Sequence, residues 1–108
     1  MSVVRYWHLV TDDALVYGPL FFELTSHAML GLPYAADVRQ RLVTTWLDAL
    51  TSMWTARGVP RREARSQASL DLAMARGLLH DLLLTGDRKR VDAAMLRYSR
   101  ATVGRMLE

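Results

Sequence analysis

The chain has 108 residues, 51% of them hydrophobic and 23% charged, with a formal net charge of +3. This mixture predicts one globular domain over residues 1–108, and the absence of cysteine excludes disulfides, thiolate metal sites and cysteine nucleophiles. No apolar run reaches the roughly 18 residues of a membrane span, and residues 1–10 lack a secretion-signal pattern. We therefore expect a cytoplasmic protein without a membrane partner.

The sequence pattern of the N-terminal third of the chain predicts several short helices. Three apolar residues share one face of a first helix: Val3, Trp7 and Val10. Asp12 or Asp13 suits the N-cap of a short second piece. Pro19 suits the first position of the next helix, residues 20–30, which is apolar nearly all round and so is expected to be central.

Residues 34–57 form the clearest predicted helix. Their apolar side chains, Trp46 among them, fill one half of a helical wheel, and polar side chains fill the other half. Gly31 precedes this segment and Gly58 follows it, as glycine does where helices end. The pattern predicts one amphipathic helix with a wide buried face.

The last two predicted helices, residues 61–85 and 88–107, meet at Gly86 and Asp87 and carry two apolar faces each. The main faces are Ala64, Ala68, Leu72, Ala75, Leu79 and Leu82, then Val91, Ala94, Met95, Tyr98, Thr102 and Met106. The second faces are Leu70, Ala73, Gly77 and Leu84, then Leu96, Val103 and Leu107. Two such helices predict a four-helix interface with a second copy of the chain; which face meets the partner stays open.

Few residues of the chain are candidates for metal binding or catalysis. Glu23 and His27 lie together at i, i+4, but no second pair with ligand spacing accompanies them, and zinc or iron needs at least three protein ligands. The pair is either hydrogen-bonded or a polar anchor in a ligand cavity. Ser26 points away from His27, and no nucleophile elbow or phosphate loop appears. We expect no catalytic residue, metal or cofactor, and no enzyme.

Asp71 falls inside an apolar helix face, with Gln67 beside it at i−4. A carboxylate there must be paired, hydrogen-bonded or hydrated. Structural pairing is the favoured interpretation, and contact with a ligand or an interface rim is the alternative.

The positive charge is spread along the chain. Two clusters, Arg61-Arg62-Arg65 and Arg88-Lys89-Arg90, adjoin predicted turns. Basic residues do not alternate with aromatic ones in any stripe, so the charge is expected to be solvated surface.

Several stretches together resemble the C-terminal half of TetR-family bacterial transcriptional regulators. They are Gly18 to Leu24, Arg57 to Pro60, Ala75 to Arg88 and Val91 to Ala94, of which Gly77 to Asp92 is the most specific part. The resemblance implies an all-α bundle of about five helices, whose last two long helices pair with the same two helices of a second chain in a homodimer.

The resemblance also implies a pocket for a small hydrophobic or aromatic effector. Helix faces suggest that it lies among Trp7, Phe21, Leu24, His27, Trp46, Leu50, Met53 and Met74. The dimer contact would use the second faces of the last two helices. Bulky apolar residues with a few polar groups are typical of such a pocket, but they are equally typical of a filled core without a cavity.

One feature of that family is missing. The DNA-reading helix-turn-helix precedes this region in the family and is not found in the sequence, so direct DNA binding is not expected. Two functions stay open. One is an effector-binding regulatory domain, and the other is a dimerisation module without the DNA-binding helix-turn-helix (a headless module), with a filled core and no ligand.

Overall fold

A computed structural model describes residues 3–38 and 40–106, without the side chains of Val3 and Val4. Every regular element in this part of the chain is helical, which confirms the all-α class. The α-helices are α1 (Val3–Met29), α2 (Thr45–Thr55), α3 (Arg61–Thr85) and α4 (Arg88–Met106). A 3-10 helix (Pro33–Ala35) and a π-helical turn (Gln40–Thr44) lie between α1 and α2.

The chain divides into two compact units. Unit 1 combines residues Met1–Phe21 with Ala75–Glu108, and unit 2 is Phe22–Met74. Helices α1 and α3 therefore each contribute residues to both units.

The predicted helix joints are confirmed. Gly31, Gly58 and Gly86 have φ angles of 75°, 90° and 70°, in the left-handed region where glycine replaces side-chain-bearing residues at helix ends. Asp87 caps α4, because its Oδ1 accepts a hydrogen bond from the backbone N–H of Arg90 at 3.2 Å.

The front third differs from its prediction, because α1 is one helix of 27 residues. Asp12 and Asp13 lie within it and cap nothing, and Pro19 lies inside it although proline has no N–H to donate. Gly18 is buried, and a Cβ built on it would lie 2.6 Å from Leu83 Cδ1. We attribute the continuity of the helix to this close packing, which a sequence pattern does not reveal.

The prediction of one helix over residues 34–57 is also wrong. Leu32 is extended, as the residue before a proline usually is, and Pro33 opens a single 3-10 turn. The chain then passes through the π-helical turn, and regular α-helix begins only at Thr45. Three successive β-branched residues, Val43, Thr44 and Thr45, lie at this junction, and such residues lose side-chain freedom in a helix.

The core of unit 1 joins α1, α3 and α4. Its buried apolar residues are Trp7, Leu82, Val91 and Met95, with Ala75, Leu78, Leu79 and Tyr98 packed against them. In unit 1 the main faces of α3 and α4 thus lie inward, a choice between the two faces that the sequence pattern leaves open.

Among the described residues, unit 2 buries five apolar residues, three of them alanines, and two polar residues. Its buried residues are Ala35, Thr51, Trp54, Val59, Ala64, Gln67 and Ala68. The wide face predicted for residues 34–57 is only partly covered: Trp46, expected inside, is 41% exposed. Three of the five apolar residues buried in unit 2 are alanines, so this core contains few bulky side chains that could cover an indole.

Among the described residues, no helix is both long enough and apolar enough to cross a membrane.

Candidate functional site

A hydrogen-bonded network in unit 1 joins α1 to α4. The indole N–H of Trp7 donates to Asp92 Oδ1 at 2.8 Å. The guanidinium of Arg88 donates to Asp12 Oδ1 and to Thr11 Oγ1, each at 2.8 Å, and its Nε lies 3.6 Å from Asp92 Oδ2. The hydrogen bond that Arg88 donates to the Asp12 carboxylate raises the pKa of Arg88 above its usual value, because it favours the charged form.

The sequence prediction missed this network. It placed Arg88 among solvated charges and did not single out Asp92. A buried tryptophan predicts a partner for its N–H, which was the available signal. With 11 acidic residues in the chain, only the fold identifies which of them accepts.

A hollow of about 170 Å³ opens beside this network, and its walls are mostly apolar. It is lined by Trp7, His8, Asp92, Ala93, Met95, Leu96 and Ser99. An enclosed apolar cavity of roughly 150 Å³ is large enough for benzene, so the hollow has room for one small ring. A second hollow, of about 370 Å³, lies in unit 2 and is lined by Ala28, Gly31, Leu32, Pro33, Ala35, Ala36 and Gln40.

The eight predicted pocket residues are divided between the two units. Trp7 and Phe21 belong to unit 1, and Leu24, His27, Trp46, Leu50, Met53 and Met74 belong to unit 2. Of the eight, only Trp7 lines either hollow. Phe21 is covered by Arg76, whose guanidinium carbon lies 5.8 Å from the ring centre, and burial lowers the pKa of Arg76. Trp46, Met53 and Met74 are exposed.

Glu23 and His27 lie side by side as their spacing predicts. His27 Nε2 is 4.0 Å from Glu23 Oε1, and the other ring nitrogen of His27 is hydrogen-bonded to the hydroxyl of Tyr34. Within residues 3–38 and 40–106, no group of three His, Cys, Asp or Glu side chains is arranged to hold a metal ion. The arrangement is a hydrogen-bonded histidine on the surface of unit 2.

Asp71 is paired within the protein, which confirms the favoured interpretation. Its two carboxylate oxygens accept hydrogen bonds from Trp54 Nε1 and Gln67 Nε2, each at 2.8 Å. Both donor residues are buried. The carboxylate therefore satisfies two donors that would otherwise be costly inside the unit.

The second apolar faces of α3 and α4 lie at the surface. Leu70, Leu84 and Val103 are 56%, 74% and 42% exposed. Ala73 and Gly77 are also exposed, and Leu96 is half-buried on the wall of the first hollow. The seventh predicted interface residue, Leu107, lies outside the described residues.

The turn between α3 and α4 is held by charge pairs. Arg90 donates to Asp81 at 2.9 and 2.5 Å and to Asp87 at 3.2 Å. The hydrogen bond from Arg90 lowers the pKa of Asp81 below 3.8, the ordinary value. A carboxylate with a lowered pKa stabilises the fold above that ordinary value, and the stabilisation is lost as the pH falls through the lowered pKa.

We therefore predict that Arg90→Gln raises the titration midpoint of Asp81 and reduces the fall in melting temperature below about pH 4. Carboxyl-carbon NMR titration of both proteins measures the midpoint directly. Arg100→Gln removes an equal charge from the same helix without touching Asp81 and should leave the midpoint in place. An unchanged midpoint in Arg90→Gln would contradict the assigned pair.

Comparisons with protein-family models, with curated proteins and with solved structures found no match to this chain. The resemblance to TetR-family regulators therefore depends on the residues quoted above, and what it implies about function is a proposal.

Proposed function

We propose that this chain is a TetR-like regulatory domain that forms a homodimer through α3 and α4 and takes a small hydrophobic or aromatic effector. One observation carries the proposal. The second apolar faces of both helices within unit 1, called the outer stripe below, are mainly exposed. The outer stripe consists of Gly77 and Leu84 of α3 with Leu96 and Val103 of α4.

Each apolar square ångström removed from water stabilises an association by about 25 cal/mol. Leu84 and Val103 expose much of their side chains, so covering them is favourable. Gly77 has no side chain, and no atom lies within 4 Å of the position that its Cβ would take. A partner helix could approach closely there. A second copy of the chain is the partner most often found on such faces, because most oligomers are symmetric homo-oligomers.

Native mass spectrometry tests the dimer. The wild-type chain should appear at twice its monomer mass, and the double variant Leu84→Lys/Val103→Lys should appear as a monomer. Both side chains are exposed, so lysine at these positions changes the stability of the monomer by only about 0.5 kcal/mol. A loss of the dimer would therefore report the interface and not unfolding.

Val16→Lys is the matched control. Val16 is an exposed apolar residue of α1 outside the outer stripe, and this variant should remain dimeric. A wild-type monomer, or a double variant that keeps the dimer mass, would contradict the proposed interface.

The effector part of the proposal depends on the hollow at Trp7. A bound molecule would add a small constant mass to the native spectrum, and compounds of one aromatic ring should raise the melting temperature. The headless dimerisation module is the alternative. It is favoured by the observation that seven of the eight predicted pocket residues line neither hollow. A dimer with no added mass and no stabilising compound would support that alternative.

A further inference from the structure

Helix α4 carries a second surface that the proposed dimer does not explain. Lys89, Arg97 and Arg100 are all exposed. At 100° per residue they fall within about 80° of the helix circumference and span about 16 Å along its axis. Ala93 and Gly104 lie within the same wedge of the helix; Ala93 lies between Lys89 and Arg97 along the axis, and Gly104 lies about one turn beyond Arg100. These five residues are called the basic face below.

The cations of the basic face have no acidic partners within the described part of the chain. Arg88 and Arg90, on the same helix, are paired with Asp12, Asp92, Asp81 and Asp87. No ion pair joins Lys89, Arg97 or Arg100 to a described residue. Their positive charges are therefore available to an anion outside the chain.

We propose that the basic face binds the phosphate backbone of a nucleic-acid duplex without reading its sequence. A duplex offers a dense row of negative charges, and cations that neutralise its phosphates release condensed counterions. Ala93 is small and exposed, so a phosphate backbone can approach the helix closely between Lys89 and Arg97. The face has no base-reading element, and the contact is expected to be electrostatic alone.

The composition of the face favours a duplex over two other polyanions. Helices that lie on membranes place several large apolar residues such as Trp, Phe and Leu in the lipid. The basic face has none, and of the two large apolar residues directly beside it Leu96 is half-buried on the wall of the first hollow and Val103 is 42% exposed. Single-stranded nucleic acids are usually held by aromatic side chains on which bases stack, and the face has no aromatic residue. A rigid duplex needs neither feature.

The three cations of the basic face belong to one helix of a single chain, so the proposal requires neither the proposed effector nor the proposed dimer. The face does adjoin both proposed sites: Ala93 also lines the first hollow, and Leu96 of the outer stripe lies about 20° from Lys89 on the helix circumference. The proposal revises two expectations: that the chain does not bind DNA directly, which was based on the missing helix-turn-helix, and that its basic residues are only solvated surface, which was based on the absence of a stripe of alternating basic and aromatic residues.

Fluorescence anisotropy with a labelled DNA duplex of mixed sequence tests the basic face. Three neutralised phosphates predict a slope of about −2.7 in log K against log salt, which weakens binding about 40-fold between about 50 and about 200 mM salt. Lys89→Gln/Arg97→Gln/Arg100→Gln should weaken binding at low salt by about tenfold or more and flatten that slope. Glutamine has nearly the helix propensity of lysine and arginine, and circular dichroism checks the fold.

The matched control removes three other exposed cations. Arg41→Gln/Arg61→Gln/Arg62→Gln has the same net charge as the first triple variant, but its changes lie in unit 2. It should bind the duplex within about twofold of wild type, because only charges near the phosphates release counterions.

Three results would overturn the proposal. One is a wild-type chain that does not bind the duplex at low salt. Another is an equal loss in both triple variants, which would indicate a general charge effect. The third is a chain that binds vesicles of anionic phospholipid but not the duplex, and that no longer binds the vesicles when the basic face is neutralised. That result would assign the face to a membrane surface.

Discussion

Replacing Leu82 by alanine is expected to destabilise the protein by about 2–5 kcal/mol, the range for truncating a buried leucine. Leu82 is 1% exposed and belongs to the core of unit 1 with Trp7, Val91 and Met95. The loss combines the removed apolar contact with a cavity that its neighbours fill only in part. Because small domains are stable by about 5–15 kcal/mol, this single change would remove a large part of the total. Urea unfolding followed by circular dichroism measures it.

Leu9→Ala is the matched control for that truncation. Leu9 is a half-exposed leucine of α1, so the same chemical change there leaves no enclosed cavity. Its loss should stay within about 0.5 kcal/mol, as for most surface substitutions. Similar losses in the two variants would mean that the core of unit 1 is not centred on Leu82.

Removing the carboxylate of Asp71 is expected to cost about 2–4 kcal/mol, because it leaves two buried donors without their acceptor. Those donors are the indole N–H of Trp54 and the amide of Gln67, each 2.8 Å from an Asp71 oxygen. In Asp71→Ala, both groups lose the hydrogen bond to the carboxylate, so the cost of desolvating them is offset less than in the wild type. The free energy of unfolding from urea titration gives the loss.

Two further variants separate hydrogen bonding from general charge effects. Asp71→Asn keeps an oxygen that accepts from Trp54 and should lose clearly less than Asp71→Ala. Asp48→Ala breaks an exposed ion pair with Arg65 at 3.5 Å and should cost less than about 1 kcal/mol. If Asp48→Ala were as costly as Asp71→Ala, the special role assigned to the buried carboxylate would be wrong.

Local patterns in the sequence were sufficient to predict the all-α fold class and the glycines at which helical segments end. Gly31, Gly58 and Gly86 end helices because a left-handed residue without a Cβ is a local requirement. The main faces of α3 and α4 were predicted correctly because helical periodicity is also local. The sequence places the charged Asp71 on an apolar helix face. Because burying an unpaired carboxylate is costly, this position predicts hydrogen-bond partners for it.

The candidate site was predicted much less completely. The sequence marked Trp7 as a pocket residue, and Trp7 does line a hollow. It could not name Asp92 as the acceptor of Trp7, since the two residues are 85 positions apart and helical periodicity carries no information over that distance. Nor did it reveal the role of Arg88, whose partners on α1 are reached only when α1 and α4 pack.

Sequence patterns were sufficient to predict the all-helical class, the glycines that end three helices, and the residues that form each apolar face of α3 and α4. Tertiary packing determined which of those faces lies inward, and that α1 continues through Pro19, where Gly18 packs closely against Leu83. It also decided that Trp46 is exposed and which acid each buried tryptophan contacts. Backbone preferences act over a few neighbouring residues, whereas burial and pairing depend on which distant surfaces meet.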